Sequence, residues 1–252
     1  MNDDQSTYEY LAKGGKLSSP ENTPARYRAE LMRQMASFVD SELAGAAGFA
    51  DCVNYGPGIK ERIAASRIVL EKHDHAERVL KLMGEFGANT DRYQSVHPWH
   101  ERAGREENLG HERHGGDMRL NVFHYPIEGW ADAVTMNVMM GEATVLQIGE
   151  FAQSSYQPLA ETIQGILPRE KRHLELGKEG TQKLVRSGTS QKQKVEQSLI
   201  YWRPRIAASF GGENSRRLEN LKKLGLRKQS NEELRSAWES AVDKYFRSLF
   251  SD

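Results

Sequence analysis

Apolar residues recur every three or four positions through most of this chain, and that period predicts helices. The first stripe is Tyr27, Leu31, Met35, Phe38 and Val39, running on to Leu43. Thr23-Pro24 ahead of it reads as an N-cap with a first-turn proline, and the small residues from Gly45 to Gly48 read as its end. Gly56-Pro57-Gly58 opens a second helix with an apolar face of Ile59, Ile63, Ile68, Leu70, Val79, Leu80 and Met83, closing at Gly84 and Gly87. A third runs from about Ile127 to Gln153, carrying Trp130, Val134, Val138, Met140 and Val145. After a joint at Ser154-Ser155-Tyr156-Gln157-Pro158, a fourth runs from about Leu159 to Val185. A Ser/Gly break at 187–190 precedes a fifth helix around 192–209. Beyond Gly211-Gly212 come a shorter helix and a last one from about Asn231 to Phe250, opened by the capping sequence Asn231-Glu232-Glu233-Leu234. No strand alternation and no fixed-period repeat competes with these stripes. The predicted fold class is all-α.

Two stretches fall outside the pattern. Residues 1–23 form a polar lead-in with Gly14, Gly15, Ser18, Ser19 and Pro20, expected to be loosely held, ahead of one helical domain over 24–252. Within that domain residues 89–125 have no period; they hold Pro98, several glycines, and five of the eight histidines: His97, His100, His111, His114 and His124. A loop of that length is usually functional or poorly ordered. The composition, 38% hydrophobic and 28% charged, suits long amphipathic helices with solvated outer faces. Lys plus Arg equals Asp plus Glu at 35 each, so nothing argues for nucleic acid or an acidic membrane surface. The single cysteine, Cys52, excludes an intrachain disulfide framework and fits a reducing compartment. No apolar run approaches the ~20 residues of a bilayer span, and the acidic start Met1-Asn2-Asp3-Asp4-Gln5 is unlike a secretory signal. The expectation is a soluble, cytoplasmic protein with neither nucleic-acid nor membrane partners.

The candidate chemistry centres on Glu170 and His173 in the fourth helix. Residues three apart share a helix face, so a carboxylate and an imidazole there can point at one metal ion. Two such pairs, with one carboxylate from each of two further helices, build the di-iron or di-manganese site of ferritin-like four-helix bundles. Here one pair is found. Helix one offers Glu42, beside its apolar stripe; helix two carries the polar run Glu71 to Arg78 with His73 and His75; helix three offers Glu142 and Glu150. Carboxylate and imidazole are ligand types that suit iron or manganese. A single Glu on a charged helix is ordinarily a solvated surface group, so the pair gains weight only from its context. His97 with His100, and His111 with His114, are a second candidate set, for zinc or nickel, in a loop whose polar, glycine-rich make-up ordinarily means exposure. Met136, Met139 and Met140 read as core filler. No hydrolase triad and no phosphate-binding Gly-rich loop after a strand is found.

Several blocks stand in a specific order and spacing. They are Tyr27-Arg28-x-x-Leu31-x-Arg33-Gln34 leading to Ser41-Glu42; Asp74 followed by Ala76; Phe123-x-Tyr125-Pro126 with Trp130-Ala131-Asp132; Ser155-Tyr156-x-Pro158; Glu170-x-x-His173; and Tyr201-Trp202-x-Pro204 with Phe210-Gly211. Together, over about residues 24 to 250, they resemble the phenylacetate-catabolism family, the ferritin-like oxygenase subunits of bacterial phenylacetyl-CoA epoxidase. The resemblance implies a ferritin-like four-helix bundle with additional C-terminal helices. It also implies an oxygenase whose di-iron centre activates oxygen to epoxidise the ring of a CoA thioester. Such a protein works in a multisubunit complex, beside a related subunit that has no metal. The expected partners are therefore a homologous ferritin-like subunit or a second copy of the chain, and an aromatic acyl-CoA. The basic run Lys222, Lys223, Arg227 and Lys228 is ordinarily a solvated face, with CoA phosphates or a partner subunit as the alternative.

The ligand set carries over only in part. Glu42, Glu170 and His173 stand where the family has catalytic metal ligands. The family's Asp-Glu-x-x-His on helix two reads Asp74-His75-Ala76-Glu77-Arg78, and its acidic ligand on helix three aligns with Gly141, with Glu142 one residue and about 100° further round. A guanidinium cannot coordinate a metal. Buried between Glu42 and Glu170, Arg78 would instead supply the positive charge that two dry carboxylates require. Two expectations follow. Either the centre is degenerate, without cofactor, Arg78 bridging Glu42 and Glu170 in a scaffold or partner subunit; or it is a remodelled oxygenase site holding mono- or dinuclear iron through Glu42, His75, Glu170 and His173, with Glu142 as a further ligand or proton carrier.

Overall fold

The computed structural model describes residues 3–93, 95–113, 116–212 and 216–251. Its helices are α1 (Asp3–Ala12), α2 (Ala25–Cys52), α3 (Ile59–Glu85), the single turn α4 (Thr90–Tyr93), α5 (Gly129–Phe151), α6 (Gln157–Ser187), α7 (Thr189–Ala207), α8 (Arg216–Lys223) and α9 (Asn231–Ser251). Among the described residues there is no strand, only an isolated bridge between Leu17 and Tyr156. The fold is an all-α, ferritin-like bundle.

Two hairpin-like pairs, α2 with α3 and α5 with α6, make the four-helix core, joined chiefly through α3 and α6; α7 and α9 pack on the α5 side. The stripes read from the sequence are the buried faces. Tyr27, Leu31, Met35 and Val39 of α2 and Val79 of α3 are fully inside, as are Leu159, Ile163 and Ile166 of α6. The blocks that carry the family resemblance act as clamps between elements. The Tyr27 and Ser155 hydroxyls are 2.8 Å apart, and Ser155 donates to the Leu224 carbonyl. Trp202, wholly buried on α7, donates to Asp132 at the start of α5, and Arg105 pairs with the same carboxylate at 3.0 Å.

Three expectations need correction. First, α2 does not stop at Gly45–Gly48 but continues to Cys52. These small residues serve close packing: a Cβ on Gly45 would lie 3.5 Å from Lys72 Cδ and 3.3 Å from the Phe123 ring. Second, the lead-in is docked, not loose. Leu11 and Leu17 are buried in the core, Leu17 N–H donates to the Ser155 carbonyl, and Gln157 N–H donates to that of Leu17. Third, the described part of the 89–125 loop is held by its own polar network. Asp117 and Arg119 form a buried ion pair at 2.7 Å, and Asp40 accepts from the Tyr93 hydroxyl and the Met118 N–H, both at 2.6 Å. Asn121 donates to the carbonyls of Leu109 and Gly110. Backbone groups in a packed loop need such partners.

Candidate metal centre

The buried charges of the candidate centre come from three helices. On α3 the inward positions run Ala65, Ile68, Lys72, His75, Ala76 and Val79, a three-and-four spacing that puts Lys72 and His75 on one face. Facing them are Glu42 from α2 and Glu170 and His173 from α6, all buried. Lys72 Nζ donates to Glu42 Oε1 at 3.0 Å and to Glu170 Oε1 at 3.3 Å. His75 Nδ1 lies 2.9 Å from Glu170 Oε1 and 3.3 Å from Glu42 Oε2. His173 places Nδ1 3.4 Å from Glu170 Oε1, while its Nε2 meets Glu71 Oε2 at 2.7 Å, a carboxylate nearer the surface. The His75 and His173 rings stack with centroids 5.8 Å apart. Asn137 of α5 donates to the His173 carbonyl, fixing that turn of α6.

The electrostatics follow from burial against pairing. Burial alone would pull the Lys72 ammonium down, but Glu170 and Glu42 outweigh it and hold the group above its ordinary value. Burial opposes the Glu170 carboxylate too, yet Lys72, His173 and His75 together keep it well below the usual carboxylate range. For His75 the desolvation loss is exceeded by its hydrogen bonds to Glu170 and Glu42, so its pKa is raised. Glu170 is thus held as an anion by the cations around it.

Four of the sequence-predicted site residues meet here: Glu42, His75, Glu170 and His173. Arg78 does not. Its side chain is 40% exposed, and Nε donates to Asp74 Oδ2 at 2.9 Å on the outer side of α3, where Arg169 pairs with the same carboxylate. His75 stands at one edge of the buried arc of α3, and position 78 falls about 60° beyond that edge, out of the pocket. Lys72, three residues before His75, takes the place expected of Arg78. Glu142 is also elsewhere, 3.2 Å from Lys178. Glu150 is buried at the other end of α5, accepting from the Lys228 and Gln229 N–H groups. In the His-rich loop His97 sits edge-on to Trp99, His100 and His111 are exposed, and His114 lies outside the described residues.

Among the described residues one group of three or more His, Cys, Asp and Glu has donor atoms mutually close enough to hold a metal ion: Glu42, His75 and Glu170, within 4.8 Å of one another. His75 Nε2 is buried without a hydrogen-bond partner. A single ion could therefore be held if Lys72 withdrew. Two ions take four carboxylates and two imidazoles in a bundle of this kind, and that set is not assembled. On α5, Gly141 packs closely against α6: a Cβ there would stand 3.1 Å from Leu174 Cβ and 3.3 Å from its Cα. At that distance an acid at 141 would require Leu174 or the α6 backbone to give by a few tenths of an ångström. Among the described residues no helix is long and apolar enough to cross a membrane.

The chain is 21% identical over 240 residues to one of the subunits of the 1,2-phenylacetyl-CoA epoxidase of Escherichia coli (strain K12), covering 93% of this chain and 72% of that one. The family model for phenylacetic acid catabolic proteins matches residues 11–251. With the match spanning nearly the whole chain, from the docked lead-in through α9, this protein belongs to the phenylacetic acid catabolic protein family.

Proposed function

We propose that this chain is a divergent, catalytically silent member of its family that serves as the partner or scaffold component of an oxygenase-type complex in phenylacetate-type aromatic catabolism. The observation that carries this reading is the Lys72 ammonium, 3.0 Å from Glu42 and 3.3 Å from Glu170. A buried cation between two carboxylates performs the charge balance that a metal otherwise performs. The missing α5 ligand at Gly141 points the same way. That the similar Escherichia coli protein is itself one component of an epoxidase supports a role in an assembly, with a homologous bundle or a second copy as partner.

A second reading is favoured by the Glu42, His75 and Glu170 donors. Two imidazoles with one carboxylate are the donor set of mononuclear iron(II) oxygenases, which His75 and His173 with one Glu would supply. Glu42, His75 and Glu170 would hold one iron ion with His173 alongside, and the iron would supply oxygen activation toward an aromatic acyl-CoA. The chain's own part would be to move Lys72 aside and keep Glu170 ionised.

Anaerobic loading with ferrous iron followed by elemental analysis separates the two. The silent reading expects well under one iron per chain in the wild type and an increase in Lys72→Ala. One tightly bound iron in the wild type, with an optical change on oxygen exposure, would overturn it.

A further inference from the structure

At the seam between the two helix pairs lies a pocket of about 230 Å³ that shares no residue with the buried carboxylate centre. Its interior is apolar: Phe49 of α2, Ala65 and Ile68 of α3, and Trp130, Ala133 and Val134 of α5. The room has its origin in small residues. On α6, Gly180 lets that helix close onto α5, where a Cβ would stand 2.8 Å from Val134 Cγ1. On α3, Ala64 and Ala65 present only methyl groups to the pocket, so the space between the pairs stays open at this level.

The mouth is charged, and its charges do not cancel. Lys183 of α6 reaches across to Glu61 of α3 at 2.9 Å, and Glu179 is held by Arg172 at the same distance. Both acids among the described lining residues are therefore already paired. Lys60 and Arg67 also line the pocket; they are exposed and make no hydrogen bond or ion pair among the described residues. Seven residues apart on α3, they share one helix face, two turns from each other. An apolar interior beside two unpaired cations is complementary to a molecule with an apolar body and one anionic end.

We propose that this pocket binds a small free carboxylic acid whose body is about one ring in size, with its carboxylate at Lys60 and Arg67. An apolar cavity of ~150 Å³ accepts benzene, so the volume here takes one ring with a short side arm. Phe49 and Trp130 supply flat apolar walls for such a ring. A guanidinium fork meets a carboxylate through two parallel hydrogen bonds, and a lysine adds a point charge. The carboxyl group must be free, since an ester or thioester has no charge for the two cations to meet. This inference does not rest on the reading of the buried centre, whose metal content leaves the pocket unchanged.

Isothermal titration of the full chain with benzoate, benzamide and acetate at matched ionic strength tests it. The expectation is saturable one-site binding of benzoate. Benzamide, which keeps the ring without the charge, should bind about tenfold more weakly, and acetate, which keeps the charge without the ring, should not bind. Lys60→Gln and Arg67→Gln should each weaken benzoate about threefold, the range of an exposed charge contact, and the double variant should bind benzoate no better than benzamide. Ala64→Leu, which adds bulk to the pocket wall, should abolish benzoate binding. Lys60 and Arg67 are exposed, so their double variant is expected to keep the wild-type melting temperature and to report on binding even if Ala64→Leu folds poorly. Benzamide binding as tightly as benzoate would overturn the carboxylate assignment. No saturable heat with benzoate, an equal response to acetate, or unchanged affinity in the double variant would overturn the site itself.

Discussion

Two ion-pair clusters lie on opposite sides of the same stretch of α3, and both reach across to α6. Inside, Lys72 lies between Glu42 and Glu170 with His75 against both; outside, Asp74 lies between Arg78 and Arg169. The groups are of the same chemical kinds at similar distances. They differ in solvent: the inner side chains are 8% exposed or less, and Asp74, Arg78 and Arg169 are 35–40% exposed. Water screens the outer cluster, so removing one partner there leaves the others hydrated. Nothing screens the inner one, and removing its cation strands two carboxylates in a dry core. A cation's importance on this helix is decided by which way its turn faces.

The largest expected effect follows directly. Lys72→Met should cost about 3–5 kcal/mol of unfolding free energy, the range for breaking a buried pair, measured by urea denaturation. A loss below about 1 kcal/mol, the range of exposed pairs, would mean that protons or water already balance Glu42 and Glu170. Next comes the absent ligand of α5: Gly141→Glu should cost about 1–3 kcal/mol through overpacking against Leu174, visible as a lower melting temperature without gain of metal. A neutral outcome would show that α5 and α6 can separate to admit a ligand.

The pH profile sharpens the contrast further. Glu170 has a lowered folded pKa, so its contribution is present above its unfolded value near ~4.3 and is lost as pH falls through the folded one. His75 has a raised folded pKa, so its contribution is complete below ~6.5 and fades as pH rises through the folded value. Stability should therefore peak between about pH 4.5 and 6.5 and fall on the alkaline side, a slope that His75→Gln should flatten in thermal melts across about pH 5–9. A wild-type profile already flat over that interval would contradict the raised His75. The smallest effect belongs outside: Arg78→Ala should change stability by no more than ~1 kcal/mol, and the change should shrink in high salt.

Much of the scaffold was readable from the order of residues. The stripes on α2, α3, α5 and α6 announced the bundle because a buried helix face must be apolar at three-and-four spacing. Glu42 stands out because it falls beside such a stripe, and Glu170 with His173 because residues three apart share a helix face. The errors have physical causes. Glycines at 45 and 48 look like a helix stop, yet in a packed bundle they are the contact through which another element comes close; local sequence does not distinguish the two. The docking of Leu11 and Leu17 depends on a distant partner segment at 155–157. Register with the family's helix-two motif puts Arg78 inward, whereas the inward spacing Ala65, Ile68, His75, Val79 points to position 72. Lysine carries little signal at an inward position because it is ordinarily among the most solvated of residues, and only the convergence of two carboxylates makes its burial favourable.

The most direct test of Lys72 as the internal counter-charge is a double-mutant cycle between Lys72→Met and Glu170→Gln, read by denaturant unfolding. If the ammonium balances the carboxylate, the pair should couple by about 2 kcal/mol or more, with Glu170→Gln partly rescuing Lys72→Met. Additive losses, with no rescue, would contradict it.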